Sequence, residues 1–203
     1  MFTDTYQTIS KPSSGEFKER SSKFISFAYP VKTEEEAKEI LKQLKKEYFD
    51  ASHHCWALVL GAGKEFQKSN DDREPNNTAG KPILRSVLSK DLTDVLVVVI
   101  RYFGGKLLGV PGLINAYGTA TTDALNKATI EKKFVMECYK VICDYALHNE
   151  LYRIGKTYGL KLINNATADE NCFTFEIRKS LADELLKKLH ETGIRQTKFL
   201  NTL

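Results

Sequence analysis

Asp71, Asp72 and Glu74 form a tight acidic group in the stretch D-D-R-E-P of this 203-residue chain. Carboxylates so close together can relay protons or hold a hard cation. Acidic side chains in a polar loop can equally be solvated. Pro75-Asn76-Asn77 then carries the chain to Thr78-Ala79-Gly80, where a helix start would offer free N–H groups to an anion. A second place of this kind follows the apolar run Val95 to Ile100, where Gly104, Gly105, Gly109 and Gly112 lead into a helical pattern. Glycines there let the backbone approach a ligand closely, or serve tight turns and helix–strand packing. The acidic loop and the two glycine-bearing helix starts are distant in sequence. If they converge in space they make a shallow polar site.

The familiar nucleotide signatures are absent. The glycine spacing is G-G-x-x-x-G-x-x-G rather than G-x-G-x-x-G, and no G-K-[ST] occurs. His53-His54-Cys55 suggests a metal or a nucleophile. Adjacent strand residues point to opposite faces, however, and a structural zinc needs about four ligands. Burial of Cys55 at the head of an apolar strand would raise its pKa and leave it unreactive. The expectation is therefore no catalytic residue, no metal and no cofactor.

The elements that must position these groups can be read from pattern and punctuation. Residues 6–9 and 23–29 read as strands with a turn at 11–15 between them. Thr33-Glu34-Glu35-Glu36 is a capping box opening a helix with Ala37, Ile40, Leu41, Leu44 and Tyr48 inward. Residues 55–60 form a short strand, 68–77 an exposed loop, and Thr78 caps a helix running to about Leu88. The run 95–100 lacks alternation, which predicts a strand buried on both faces. Leu113, Ile114, Tyr117, Ala120, Thr121 and Ala124 then recur at helical spacing. The pattern loosens around 127–133. Beyond it the order is strand 135–145, helix 150–158, strands 161–165 and 172–178, helix 181–191 and strand 194–200. Asn149 and Ser180 read as N-caps, Asp183 as a box partner, and Gly159 and Gly193 as helix ends. This βαββαβ order is ferredoxin-like. The fold class expected is α+β with two domains, 1–132 and 133–203.

Bulk properties limit the function classes. Net charge is +4 and is not concentrated in either half, far from a strongly basic nucleic-acid binder. Locally, Lys81, Arg85, Lys90, Arg101 and Lys106 outnumber Asp91 and Asp94, and on one face they would attract phosphate. No run reaches the ~18 apolar residues of a membrane span, and residues 1–4 do not resemble a secretory leader. Cys55, Cys138, Cys143 and Cys172 form no C-x-x-C pair and are expected to be reduced, which places the protein in the cytoplasm.

At the residues just described the chain resembles the IMPACT/YigZ family. The matching pieces are His53-His54-Cys55-Trp56-Ala57, Asp71-Asp72-Arg73-Glu74-Pro75, Thr78-Ala79-Gly80-Lys81-Pro82, Arg101-Tyr102-Phe103-Gly104-Gly105 and Ala116-Tyr117-Gly118, in order, from about Arg20 to Leu125. Arg73 and Pro111 stand where the family commonly has glycine, and Asn76-Asn77 where serine or glycine often precedes T-A-G. Lys106 is displaced by one place, and Asn115 replaces an arginine found in many members. The resemblance implies a first domain like domain 2 of ribosomal protein S5 and a second like domains of elongation factor G. Eukaryotic relatives regulate translation by interfering with activation of an initiation-factor kinase, using an extra N-terminal protein-binding domain for which this chain has no room. The expected function is a non-enzymatic, translation-related protein that binds RNA, the ribosome or a protein partner. The candidate contacts are Asp71, Asp72, Glu74, Thr78, Gly80, Lys81, Arg85, Arg101, Gly104, Gly105, Lys106, Gly109 and Gly112. The rival readings are an enzyme for a small anion or phosphate ester, built on the acidic and glycine loops, and a protein-only interaction module.

Overall fold

A computed structural model describes residues 4–164, 171–194 and 196–202. The elements in chain order are β1 (Thr5–Ile9), β2 (Ser13–Glu19), β3 (Ser22–Pro30), α1 (Glu34–Glu47), β4 (His53–Leu60), β5 (Phe66–Asn70), α2 (Gly80–Ser89), β6 (Val95–Tyr102), α3 (Gly109–Lys127), β7 (Ile130–Phe134), β8 (Met136–Ile142), α4 (His148–Thr157), β9 (Ile163–Asn164), β10 (Cys172–Arg178), α5 (Lys179–Glu191) and β11 (Gln196–Thr202). A single 3₁₀ turn, Tyr145–Leu147, leads into α4. The fold class is α+β. The chain divides into two compact units, one spanning Tyr6–Lys133 and the other combining residues 4–5 with 134–202.

The first unit is an antiparallel sheet in the order β2-β3-β6-β4-β5. Alternate residues of β6 explain its unbroken apolar run. Val95, Val97 and Val99 enter the core beneath α2 and α3, whereas Leu96, Val98 and Ile100 enter the core beneath α1. A strand covered on both faces has no polar side to alternate with. The same parity places Cys55, Ala57 and Val59 of β4 under α2 and α3. His53 is registered opposite Arg101 on the neighbouring strand. β1 and β7 pair in a separate two-stranded ladder.

The acidic start of α1 behaves nearly as its sequence implies. Thr33 Oγ1 accepts the Glu36 amide at 3.1 Å, and the Glu36 carboxylate reaches back to the Lys32 amide at 2.6 Å, one residue earlier than in a strict capping box. Three strands escape the sequence reading: β7, which fills the stretch at 127–133 where the pattern loosens, and β2 and β5. β2 occupies the turn expected at 11–15, and β5 begins the loop expected at 68–77. β2 and β5 are edge strands, and their mostly polar side chains carry no strong apolar alternation.

The second unit has strand order β11-β8-β10-β9, all antiparallel, with α4 and α5 packed on Tyr139, Val141, Phe173, Phe175 and Ile177. That is the ferredoxin-like arrangement. Gly159 and Gly193 follow α4 and α5 at φ +64° and +93°, the left-handed geometry glycine permits. Asn149 and Ser180 lie inside their helices rather than capping them. The start of α5 is instead met by Asp4, whose carboxylate accepts the Ser180 amide at 3.3 Å and the Ser180 hydroxyl, and pairs with Arg178 at 3.2 Å. Asp4 and Thr5 therefore belong with the second unit, although the sequence reading placed them in the first. Asn165 and Arg195, expected at strand ends, lie outside the described residues.

Candidate functional site

The acidic loop is built, not splayed. Asp71 Oδ1 accepts the amides of Ala79 and Gly80 at 3.0 and 2.8 Å, and its Oδ2 accepts that of Asn77 at 2.9 Å. Asp71 is thus the cap of α2, reaching it from eight residues upstream, and the position where an external anion would sit is filled by the protein's own carboxylate. Thr78, the expected cap, turns its hydroxyl to the Pro75 carbonyl at 2.7 Å. Gly80 is required by packing, since a Cβ there would lie 2.8 Å from the Asn70 nitrogen. Asp72 ties the loop to β4. Its Oδ2 accepts the His54 amide at 2.7 Å, and its carbonyl lies 2.8 Å from His53 Nδ1. Asp72 and Arg73 adopt φ of +38° and +70°, which gives a physical reason for the glycine common in the family where Arg73 stands here.

Glu74 turns inward. Its Oε1 accepts from Arg101 Nη1 at 2.6 Å and from the Tyr117 hydroxyl at 2.8 Å, with His53 Nε2 at 3.7 Å. Both side chains of the Glu74–Arg101 pair are about 5 % exposed. Arg101 Nη2 also donates to Ser22 Oγ at 3.4 Å, and its guanidinium lies over the rings of Phe24 and Phe103 at 5.4 and 5.3 Å. Cys55 Sγ is 3.1 Å from the Asp71 carbonyl and 3.3 Å from the Tyr117 hydroxyl. Burial pushes the Cys55 thiol and the Tyr117 phenol far above their ordinary ranges, and the nearby Glu74 charge adds to both shifts. Glu74 is therefore engaged as an ion pair and Cys55 is held as a thiol.

The glycine loop forms the opposite wall. Gly104 donates its N–H to Ser22 Oγ at 3.2 Å, and a Cβ there would lie 2.1 Å from the Ser21 carbonyl carbon. Gly105 and Gly109 take φ of +78° and +70°, so both serve turns, while a Cβ on Gly112 would press on Leu108 at 3.0 Å. Among the described residues no side chain caps α3, and Pro111 in its first turn has no N–H to leave unpaired. Between the two walls is a cleft of about 410 Å³ lined by residues including His53, Arg73, Glu74, Arg101, Gly109 and Val110. The acidic loop and the α3 start do converge. The α2 start, closed by Asp71, does not open into this cleft as an anion site.

The basic residues divide. Arg101 is buried in its pair and is not a surface contact for phosphate, contrary to the sequence expectation. Lys81 and Arg85 are exposed one turn apart on α2, Lys106 is exposed in the glycine loop, and none has an ion-pair partner among the described residues. Lys90 is tied to Asn126 at 2.7 Å. Sequence reasoning missed Ser22 and Tyr117 as site residues. The inward spacing on α3 located Tyr117 but gave no sign of its carboxylate partner. The described residues contain no cluster of three or more His, Cys, Asp or Glu able to hold a metal, and no helix long and apolar enough to cross a membrane.

These features define a two-unit α+β protein with an internal Arg–Glu pair at the floor of an open cleft. The Impact N-terminal domain matches residues 20–125. The IMPACT family member YvyE of Bacillus subtilis (strain 168) is 38% identical over 151 residues, covering 72% of this chain and 70% of that protein. The IMPACT family member YigZ of Escherichia coli (strain K12) is 38% identical over 128 residues, 62% of this chain and 63% of its own. A crystal structure of a protein described as hypothetical superposes with a TM-score of 0.76 at 27% identity, covering 98% of each chain. The chain belongs to the IMPACT family.

Proposed function

We propose that this protein is a non-enzymatic factor acting in translation in the cytoplasm, and that it binds RNA or a ribosomal surface through the outer face of α2. Family membership supports the translation role, which is what the resemblance to the IMPACT/YigZ family implies. The observation that carries the binding mode is the exposed stripe Lys81-Arg85-Ser89 on a helix that contains no acidic residue. Unpaired cations one turn apart match a phosphate backbone and gain from counterion release. The groups best suited to catalysis are already engaged, Glu74 by Arg101 and Tyr117, and Cys55 as a buried thiol. The four free cysteines fit a reducing compartment.

The test is RNA binding and ribosome co-sedimentation across a salt titration, comparing the wild type with Lys81→Glu/Arg85→Glu. Each phosphate contact contributes about 0.7 to 0.9 to the slope of log K against log salt. The double variant should weaken binding and flatten that slope by about 1.4 to 1.8. Equal affinity and slope in both proteins would remove α2 as the contact.

A second reading, an enzyme for a small anion or phosphate ester, is favoured by one observation: Glu74 and the start of α3 line the same cleft. It requires Glu74 to leave Arg101 during turnover. Hydrolysis of a phosphate-ester panel that is lost in Glu74→Gln, with the fold intact, would support it over the binding role.

A further inference from the structure

The cleft between the acidic loop and the start of α3 has features that the α2 surface lacks. Four large apolar side chains are left in solvent within a dozen residues: Phe103, Leu107, Val110 and Ile114, at 46, 83, 51 and 37 % exposure. Phe103, Leu107 and Val110 line the cleft, and Ile114 extends the ridge one turn along α3. A single exposed leucine needs no explanation, but a cluster at the mouth of a concavity marks a binding surface. Its volume of about 410 Å³ suits a few side chains rather than the face of a folded domain.

The free charge beside this patch is mainly positive. Arg73 lines the cleft and is exposed, Lys106 is exposed immediately before Leu107 in the loop, and Arg20 donates to the Leu107 carbonyl at 3.5 Å, which holds its guanidinium beside the loop. Arg20 touches Glu19 only at 3.9 Å in an exposed pair, a weak competitor for a ligand. The uncapped amides of α3 add partial positive charge. Among the described residues Glu74 is the one carboxylate lining the cleft, and its charge is already taken by Arg101. Nucleic acid fits this mouth poorly. Successive bases stack on several aromatic faces, whereas this mouth offers one aromatic ring, Phe103, with Arg101 over one face, and its neighbours Leu107 and Val110 are aliphatic.

We propose that this cleft docks a short segment of another protein in which apolar side chains alternate with carboxylates. The apolar side chains would enter between Phe103, Leu107 and Val110. The carboxylates would meet Lys106, Arg73, Arg20 and the α3 amides, giving a hydrophobic centre with a complementary charged rim. This surface is separate from the α2 stripe, so it stands whether or not RNA binds there.

Fluorescence anisotropy with three labelled short peptides tests it: alternating leucine and aspartate, alternating leucine and lysine, and alternating serine and aspartate. The leucine–aspartate peptide should bind saturably and the other two at least about tenfold more weakly. Leu107→Asp and Val110→Asp, both surface changes, should each weaken it by about tenfold or more, with circular dichroism and Trp56 fluorescence unchanged. Lys106→Glu should weaken it in a salt-dependent way. The proposal is overturned if that peptide does not saturate below about 1 mM, if the lysine peptide binds equally, or if the two aspartate variants bind normally. Displacement by an oligouridylate would overturn it in favour of RNA, and a dimer in sedimentation that Leu107→Asp abolishes would overturn it in favour of a second copy of the chain.

Discussion

Removing the Glu74 carboxylate should destabilise the first unit far more than removing a surface charge. Glu74→Ala leaves the Arg101 guanidinium, whose side chain is 5% exposed, without its 2.6 Å partner. It also takes the acceptor from the buried Tyr117 hydroxyl. Breaking a buried ion pair from one side costs about 3–5 kcal/mol, because the surviving charge has lost both water and its counter-charge. An exposed pair costs about 0.2–1 kcal/mol. The chain has a single tryptophan, Trp56 on β4, so its fluorescence reports on the unit that holds the pair. With a urea m-value of about 2 kcal/mol/M, a loss of ~4 kcal/mol lowers the midpoint by ~2 M. Replacing both partners by apolar residues, Glu74→Leu with Arg101→Met, should recover part of the loss. It should not recover all of it, since an unpaired buried hydroxyl costs about 1–3 kcal/mol. The double-mutant cycle closed with the single variants Glu74→Leu and Arg101→Met should then show coupling of at least ~2 kcal/mol. A Glu74→Ala cost below ~1 kcal/mol, or strictly additive single effects, would refute the view that this pair is a buried structural unit.

The glycines should separate by what surrounds them. Gly104→Ala must displace the Ser21 backbone, 2.1 Å from the new methyl carbon, and should cost at least ~2 kcal/mol in the same urea assay, whereas Gly118→Ala meets only Ser86 Oγ at 3.8 Å and should stabilise α3 by about 0.5–1 kcal/mol; similar effects from the two would contradict the packing argument. His54 should make stability fall with acid. Burial holds its imidazole below the usual value of 6.5, Lys45 and Arg73 push the same way, and Asp72 opposes them. Its Nε2 is buried with no hydrogen-bond partner among the described residues. Below a pH of about 6.5 the unfolded chain therefore takes up the proton more readily than the folded one, and stability declines as pH drops towards the lower folded value. The wild-type urea midpoint should fall between pH ~7.5 and ~5 more steeply than that of His54→Gln, and parallel curves would assign the pH dependence elsewhere.

What the sequence disclosed follows from how each group is used. The α+β class, the doubly buried β6 and the ferredoxin-like order were legible because they rest on periodicity and on glycine at helix ends. β2 and β5 were not, since edge strands keep polar side chains and little apolar pattern. The caps were misassigned for a different reason. Thr78 and Ser180 are the right residue types at nearly the right places, yet carboxylates brought by the fold, Asp71 for α2 and Asp4 for α5, serve those helix starts. Local sequence shows which side chains could cap, but a partner supplied from elsewhere in the chain is a tertiary fact. Arg101 is the sharpest case. In sequence it ends an apolar run and reads as a rim cation, and only the opposed Glu74 explains why it is buried.

The chemistry-bearing motif residues are therefore largely spent on the scaffold. Asp71 closes a helix, Asp72 anchors a loop, Glu74 neutralises Arg101, and Gly80 and Gly104 permit close backbone contacts. A motif that looks catalytic in one dimension then fixes the shape of a cleft wall in three. The groups left free to meet a partner are plainer: Lys81 and Arg85 on α2, Lys106 on its loop, and the aliphatic lip of Leu107 and Val110. Changing the scaffold residues should therefore be read first as loss of fold, whereas changes at these five exposed positions can alter binding while leaving stability within about 0.5 kcal/mol of the wild type. Variants of the two kinds that produced the same pattern of folding and binding loss would show that wall and surface are not separable in this way.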